Sequence, residues 1–400
     1  MEFRNSEMYL PEYGVVKTDN FGKMYPIIND YILTHMPDEE SRAGNVKEVL
    51  DMKTIITCPY RRCVGGYGRD INVFFLLAEA MWIVLGRKDV RFLTIFNSKM
   101  SDFSDDGLTF HAPYGFRLRH WGIRTEDQYE NGVAAAKGYD QVADAIRLLF
   151  ENPNTRQVVM SIWNPQFDLG SKSRDIPCND MVMLKIRDGK LMTTIQNRSN
   201  DLHWGLPTNV FQFSFLTEIM SCCLGIELGT QVHNSQSLHI YDWNGTAKKM
   251  NQEFYNSEVG QTLYELGVCD ARPMTFDFKT TVPINRFREV EMHLNIVVDN
   301  LERINDGETV IEDDLKQVAA FSPFLYNVYR LLKIYVQYKH KTAVCKGDEE
   351  KDACRHTAIA EIQLLEAEGA DGWDMSTLGK NFFWSKLKKL TVAHDYLGKL

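Results

Sequence analysis

The sequence predicts a protein of the α/β (α+β) class, with a mixed α/β body over residues 1–284 and a helix-rich extension over 285–400. Three observations point that way. Short β-branched stretches alternate with long apolar runs in the body. Asp188–Gly189, a dipeptide suited to a type I′ turn, joins two strand-like segments. Beyond about residue 284 the pattern becomes helical in long blocks.

Residues 1–35 read as an irregular arm with a short helix, and 45–58 (NVKEVLDMKTIITC) as a strand because of their β-branched content. Residues 71–86 (INVFFLLAEAMWIVLG) predict a buried helix ended by Gly86. Residues 138–151 predict an amphipathic helix with Val142, Ile146 and Leu149 on one face. A strand over 155–164 follows, then two strands within 180–196. Residues 208–225 read as a long buried helix, 228–234 as a strand, and His239 and Tyr241 fall in a short turn. In the extension, 285–304, 312–340, 351–368 and 375–392 look helical, and the charged segment 345–355 (CKGDEEKDACR) reads as an exposed connection. The aromatic residues of 312–340 read as packing. No repeat of 20–50 residues is present, which argues against a solenoid or propeller.

Composition bounds the function classes. Hydrophobic content of 44% with 25% charged residues is that of a globular protein. A net charge of −9 gives no basic footprint for nucleic acid, although a nucleotide needs only a local cluster of arginines. No apolar run approaches the roughly 18 residues of a membrane span. The N-terminal stretch lacks an apolar core, so no signal peptide is expected. The eight cysteines form no CxxC pair and follow no zinc-ligand spacing, so no metal site is expected. The expected setting is a reducing cytoplasm, that of the host if the source is viral.

Four groups carry candidate chemistry. Cys178, in Pro177–Cys178–Asn179 with Arg174 nearby, is a candidate nucleophile, since a thiolate gains from cationic neighbours; alone, a packing role is favoured. The run from Asn197 to Asn209 offers Arg198 and Ser199 for a phosphate, and Asp201 and Asn209 for a base edge. Read by itself, a polar turn before a helix is the favoured reading. Glu79 lies in an apolar run where a carboxylate is costly unless it is partnered or protonated, a state suited to carrying protons. His239 and Tyr241 alternate along an extended stretch and so point the same way, which suits sugar hydroxyls or a buried pair equally.

Together these blocks resemble the thymidylate synthase family from about residue 40 to about 275. The strongest stretch runs from Asp140 to Tyr241 and reads DQVADAIRLLFENPNTRQVVMSIWNP, PCN, DGKL, NRSNDLHWGLPTN and LHIY. The family's blocks in that order are a helix beginning DQ, a doubled arginine before a strand ending WN, then PCH, DGKL, QRS-x-D with GxPFN, and H-x-Y. Upstream, AEAMWIVLG is similar to its ELLWFL block and HAPYGFRLRHWG to its VYGxQWR block.

The resemblance implies a large mixed β-sheet flanked by helices and a homodimer that uses 5,10-methylenetetrahydrofolate and no metal. It implies that Cys178 adds to C6 of a pyrimidine nucleotide and makes C5 nucleophilic. Arg198 and Ser199 would bind its phosphate, and Arg156, followed by Gln157, would reach the phosphate in the partner subunit. Arg42 would be a mobile phosphate arginine, although the usual glycine-threonine context is missing. Asn209 would pair with the N3/O4 edge of the base, and His239 and Tyr241 with the ribose. Glu79 and Tyr114 would organise protons and water, with Asn179 beside them. Asp201, Trp82 and Gly205 would serve the folate.

The chain departs from the family at Asn179 (usually histidine), Gln157 (usually arginine) and Thr208 (usually phenylalanine), and its C-terminal part shows no family tail. In the family that tail closes over the folate and keeps water from the exocyclic methylene, which hydride then reduces. Water entry gives a 5-hydroxymethyl product instead. The departures therefore favour hydroxymethylation, and Asn209 favours dUMP, because one amide donates to O4 and accepts from N3–H. A methylating synthase, a dCMP or CMP hydroxymethylase and a non-catalytic nucleotide-binding homologue are the alternatives.

Overall fold

The computed structural model describes residues 8–9, 14–41, 44–64, 71–123, 138–241, 245, 247–248 and 273–370. Its described strands are β1 (Met8–Tyr9), β2 (Val15–Thr18), β3 (Asp38–Ser41), β4 (Gly44–Ile56), β5 (Val159–Ser161), β6 (Asn179–Arg187), β7 (Lys190–Asn197), β8 (Asn200–Asp201) and β9 (Glu227–Ile240). They form one mixed sheet in the order β1-β2-β4-β9-β7-β6-β5, with β3 paired to β4 and β8 to β9. β9 lies at its centre, antiparallel to β4 and parallel to β7. Asp188 and Gly189 adopt φ of 51° and 70°, the left-handed pair that a type I′ turn requires, and they close the β6–β7 hairpin.

The body's helices are α1 (Phe21–His35), α2 (Val73–Val84), α3 (Val90–Phe96), α4 (Tyr114–Arg119), α5 (Gln141–Glu151), α6 (Pro165–Asp168) and α7 (Gly205–Leu224). α2 is buried nearly all round and begins at Asn72, whose side chain accepts from Phe75 N at 3.1 Å. α5 is capped by Asp140 and buries Val142, Ile146 and Leu149, as the periodicity predicts. α4 packs so closely on α2 that a Cβ at Gly115 would stand 2.2 Å from Ile83 O. That contact places Tyr114, at the start of α4, toward the interior of the body.

The extension supplies α8 (Pro283–Asn305), α9 (Glu312–Phe321), α10 (Pro323–Ala343) and α11 (Asp348–Leu365). α8 packs on α5 and α7, and α10 on α2 and α3, so these helices share the apolar cluster of the body. Tyr335 on α10 stacks on Phe74 at 4.5 Å between centroids and donates its hydroxyl to Phe96 O at 2.9 Å.

Several boundaries differ from expectation. The stretch 312–340 is two helices: Ser322 is extended (φ −156°), and Pro323, which lacks an N–H, opens the second. The helix within 1–35 is 15 residues long, longer than expected, and carries Pro26 inside. His239 lies in β9, which runs to Ile240, not in a turn. Most of the charged connection at 345–355 is helical, since Asp348, Glu349 and Glu350 form the acidic first turn of α11 and favour its N-terminus. The expected helix at 375–392 lies outside the described residues. No helix among the described residues is long and apolar enough to cross a membrane.

Candidate active site

Cys178 lies immediately before β6, where the chain leaves the loop that ends in Pro177. The adjoining strand β7 brings Arg198 beside it, and Arg198 N donates to Cys178 O at 3.1 Å. The guanidinium folds onto the same loop: Nε donates to Pro177 O at 2.9 Å, and Nη2 to Ile176 O at 3.3 Å. Nη2 stands 4.0 Å from Cys178 Sγ, and the guanidinium lies over the Trp163 ring at 5.6 Å. On the other side Cys178 N donates to the Tyr114 hydroxyl at 3.4 Å, while the Tyr114 ring stacks on Phe213 of α7.

Electrostatics here differ from the simple expectation of a thiol acidified by cations. Burial pushes the Cys178 thiol up; Arg198 opposes this, and Asp175, Asp180 and Asp201 add to it. Burial, aided by these carboxylates, outweighs the one close guanidinium. Burial and the Cys178 and Asp175 charges also push the Tyr114 hydroxyl up.

Behind the thiol lies a row of buried amides. Asn179, Asn197 and Ser235 are register partners on the adjacent strands β6, β7 and β9. Asn197 Nδ2 donates to Asn179 Oδ1, and Asn179 Nδ2 donates to Asn209 Oδ1 at 3.0 Å. Asn209 Nδ2 donates to Asn200 Oδ1 at 3.2 Å, and Asn200 Nδ2 to Ser235 Oγ at 3.0 Å. Asn209 lies just past the first turn of α7, which opens at Gly205, where a Cβ would lie 2.8 Å from Asn200 Oδ1.

Glu79, on α2, has its Oε2 enclosed without a hydrogen-bond partner, and its carboxyl bonds to the Gln212 side chain. Burial pushes its pKa up to about 8; Gln212 opposes this, and Asp175 adds to it. Asp175 is itself pushed up by burial, although its Oδ2 accepts from Ala112 N at 2.8 Å. Asp180 is raised to about 6 by burial, against the pull of Arg198.

At the far end of the site Asp201 Oδ1 accepts from His203 N at 2.5 Å and Trp204 N at 2.7 Å, which turns the chain into α7. Ser199 is half-buried between Arg198 and β8. His239 meets Tyr241 edge-on at 4.9 Å and hydrogen-bonds Ser237 Oγ through Nδ1 at 3.3 Å, so the pair does share a face. Burial lowers the His239 pKa, which favours the neutral ring.

The structure thus gathers Cys178, Asn179, Arg198, Asn209 and Tyr114 through direct contacts, with Glu79 held by Gln212 beside Asp175. Arg156 and Gln157 lie exposed ahead of β5, and no hydrogen bond joins them to this cluster. Trp82 is 4% exposed, with Nε1 donating to Asp89 O at 3.0 Å and its ring against Phe110. Arg42 lies outside the described residues. Sequence reasoning missed Asp175, Asn197, Asn200, Gln212 and Ser235. For Gln212 a signal existed, since it follows Asn209 by three positions on one face of a buried helix. No group of metal ligands occurs among the described residues.

Comparison with known proteins gives this geometry a lineage. Residues 68–256 match the family model described as thymidylate synthase. A protein named deoxyuridylate hydroxymethyltransferase from Bacillus phage SP01 is 36% identical over 284 residues, 68% of this chain and 70% of that protein. A second of that name, from Pseudomonas phage M6, is 36% identical over 231 residues, 57% of this chain and 62% of that one. A thymidylate synthase from Listeria innocua is 27% identical over 215 residues, 53% of this chain and 63% of that enzyme. The order of blocks around the thiol, the mixed sheet that places them and these matches lead to one statement: the chain belongs to the thymidylate synthase family.

Proposed function

We propose that the protein transfers a one-carbon unit from 5,10-methylenetetrahydrofolate to C5 of dUMP and releases 5-hydroxymethyl-dUMP. One observation carries this reading. Cys178 stands between the Arg198 guanidinium and the Tyr114 hydroxyl, and the next residue, Asn179, bonds to the amide of Asn209. A nucleophile is thereby fixed beside a donor–acceptor pair able to hold a pyrimidine edge. The hydroxymethyl outcome is supported by the printed names of the phage relatives.

In this reading Cys178 Sγ forms a bond to C6, and the C5–C6 π pair moves toward C5 and O4. Asn209 donates to O4 as charge develops there. C5 then bonds the methylene carbon that the folate supplies; the C5 proton leaves through ordered water toward Glu79, and the bond from that carbon to the folate nitrogen breaks, which releases tetrahydrofolate and leaves an exocyclic methylene at C5. With a pKa of about 8, Glu79 can hold or give up a proton near neutral pH. Water adds to the exocyclic methylene, its extra proton passes to solvent, and expulsion of the thiolate restores the C5–C6 double bond.

Arg198 and Ser199 hold the phosphate, and Arg156 and Gln157, exposed on one protomer, complete that site across a homodimer. Arg42 adds a further charge. His239 and Tyr241 hold the ribose, and Asp201, Trp82 and Gly205 shape the folate side. Residues 1–284 form the catalytic body, with 285–400 as an extension sharing its core. A cytoplasmic setting, that of a host cell for a viral protein, fits the reading.

The test is a mass spectrum of the nucleotide after incubation with dUMP and methylenetetrahydrofolate. A gain of CH₂O supports hydroxymethylation, whereas a gain of CH₂ makes the enzyme a methylating synthase. Turnover of dCMP or CMP in preference to dUMP overturns the base assignment, and binding without turnover makes it a non-catalytic homologue.

A further inference from the structure

We infer that Asp175 is the base that takes a proton from the water attacking the exocyclic methylene, and so is a catalytic residue of the hydroxymethyl branch. The inference rests on the 5-hydroxymethyl product proposed above.

Two hydrogen bonds tie the loop before β6 to the segment that opens α4. Ala112 N donates to Asp175 Oδ2 at 2.8 Å, and Cys178 N donates to the Tyr114 hydroxyl at 3.4 Å. Asp175 is thereby fixed in the same short loop as the thiol, three residues ahead of it. One carboxylate oxygen is spent on this attachment. The other, Oδ1, has no hydrogen-bond partner among the described residues, and it is not one of the enclosed polar atoms that lack one. It is an open acceptor on an anchored side chain, which is the form a base for a passing water requires.

Asp175 also shares a cleft with the groups that handle the pyrimidine. Glu79, Tyr114, Asp175 and Cys178 are each deeply surrounded by protein, yet each keeps some open surface. Side chains in that state line a concavity and are reached from within it. The charge of Asp175 is felt at Glu79, at Tyr114 and at Cys178, an effect that falls with distance. The carboxylate thus stands close to the proton-carrying Glu79, to the hydroxyl and to the nucleophile together, although it belongs to the loop and Glu79 to α2. Burial raises Asp175 above the ordinary carboxylate range, which makes its ionised form a stronger base.

The reaction needs a second base. Each turnover releases two protons, one from C5 and one from the water. In the proposed sequence Glu79 receives the first, and a protonated Glu79 cannot accept the second. Asp175 meets that need. The water oxygen bonds the exocyclic carbon, the methylene π pair moves toward C5 and O4, and the water proton goes to Asp175. The pair then returns to form the C5–C6 double bond as the C6–Sγ bond breaks, which frees the Cys178 thiolate. Asp175 passes its proton to solvent through its open surface and is ready again.

The experiment runs single turnovers of dUMP and methylenetetrahydrofolate, with and without 2-mercaptoethanol, for the wild type and Asp175→Asn. The thiolate of 2-mercaptoethanol also bonds the exocyclic methylene, but it brings no proton to remove and needs no base. Without the thiol, Asp175→Asn should form 5-hydroxymethyl-dUMP about a hundredfold more slowly, and the methylene adduct should accumulate on Cys178 in the protein mass spectrum. With the thiol, the ratio of thioether to hydroxymethyl nucleotide should rise about a hundredfold or more. This ratio counts only molecules that react, so it does not depend on the fraction of active enzyme. An unchanged ratio overturns the inference. A raised ratio with an unchanged rate of hydroxymethyl formation also overturns it, since that would be an effect of charge on the approaching thiolate. Loss of both products with no adduct on Cys178 would place Asp175 earlier in the reaction and overturn it as well. If Asp175→Asn fails to fold, Asp175→Ala with added formate decides: formate should restore hydroxymethyl formation, and no restoration counts against the base. The proposed activity is judged separately by the wild-type product. A wild type that makes dTMP fails that reading, whereas one that makes 5-hydroxymethyl-dUMP with an unmoved variant ratio sinks only this inference.

Discussion

Arg198 Nη2 stands 4.0 Å from Cys178 Sγ while the same guanidinium is pinned to the carbonyls of Ile176 and Pro177. The charge that favours the thiolate is therefore built into the loop that carries the thiol. It acts against burial and three carboxylates, which together leave the thiol raised. Arg198→Ala removes the one favourable contribution among these, so the thiol should rise further. The acidic limb of the kcat/KM–pH profile should move to higher pH, and a limb that stays in place would show that the titrating group is not Cys178.

Cys178→Ala removes the nucleophile but leaves the Tyr114 and Asn209 contacts, which run through backbone and neighbouring side chains. Turnover should fall at least about a thousandfold, with the Kd for dUMP within about threefold of wild type. Full activity in this variant would remove Cys178 from the chemistry.

Much of this arrangement was legible in the sequence, and the rest was hidden for definable reasons. The helix faces of α5 and the Asp188–Gly189 turn follow from local periodicity and left-handed backbone, which act within a few residues. Cys178, Arg198 and Asn209 could be picked out because they stand in blocks of fixed order. Asn197 and Ser235 could not, since their partnership arises from pairing between β7 and β9, strands separated by the whole of α7. The direction of the Cys178 shift was also out of reach. It depends on Asp175 and Asp180 being folded in with the thiol, and their sequence neighbour Arg174 instead turns to Asp102 O and Asp105. The extension's packing on α2 and α7 likewise depends on contacts between residues far apart in the chain.

Glu79 should leave a thermodynamic trace. Its carboxyl is raised from 4.5 to about 8, so between these values the folded protein holds a proton that the unfolded chain releases. The resulting stability is fully present below pH 4.5 and is lost as pH rises through about 8. Glu79→Gln removes this dependence. The fall in Tm between pH 5 and pH 8.5 should be smaller in the variant than in the wild type, and parallel curves would mean that Glu79 is not held protonated. kcat should drop about a hundredfold or more if Glu79 carries protons in the reaction.

Asp175 gives a complementary test. Its charge raises both Glu79 and Cys178, and its Oδ2 holds Ala112 N at 2.8 Å. Asp175→Asn keeps an acceptor for that N–H and removes the charge. Both pKa values should fall, so the limb assigned to the thiol should move to lower pH, opposite to its movement in Arg198→Ala. Movement of the two variants in the same direction would point to a general disturbance of the loop.

Gly115 tests whether the placement of Tyr114 depends on helix packing. A Cβ at 115 would stand 2.2 Å from Ile83 O and 2.5 Å from its Cα, and both are backbone atoms that cannot swing aside. Gly115→Ala must therefore push α4 away from α2 and carry Tyr114 away from Cys178 N, which it now meets at 3.4 Å. A cost of about 1–3 kcal/mol is expected from such overpacking. It should appear as a drop in Tm together with a loss of kcat, with dUMP affinity changed less, because Arg198 and Asn209 lie on β7, α7 and their junctions, not on α4. The comparison with Tyr114→Phe separates the two effects: that variant should lose kcat and keep the wild-type Tm within a few degrees, since its ring can still stack on Phe213. If Gly115→Ala loses stability but keeps full kcat, the hydroxyl of Tyr114 does not need its present position for turnover.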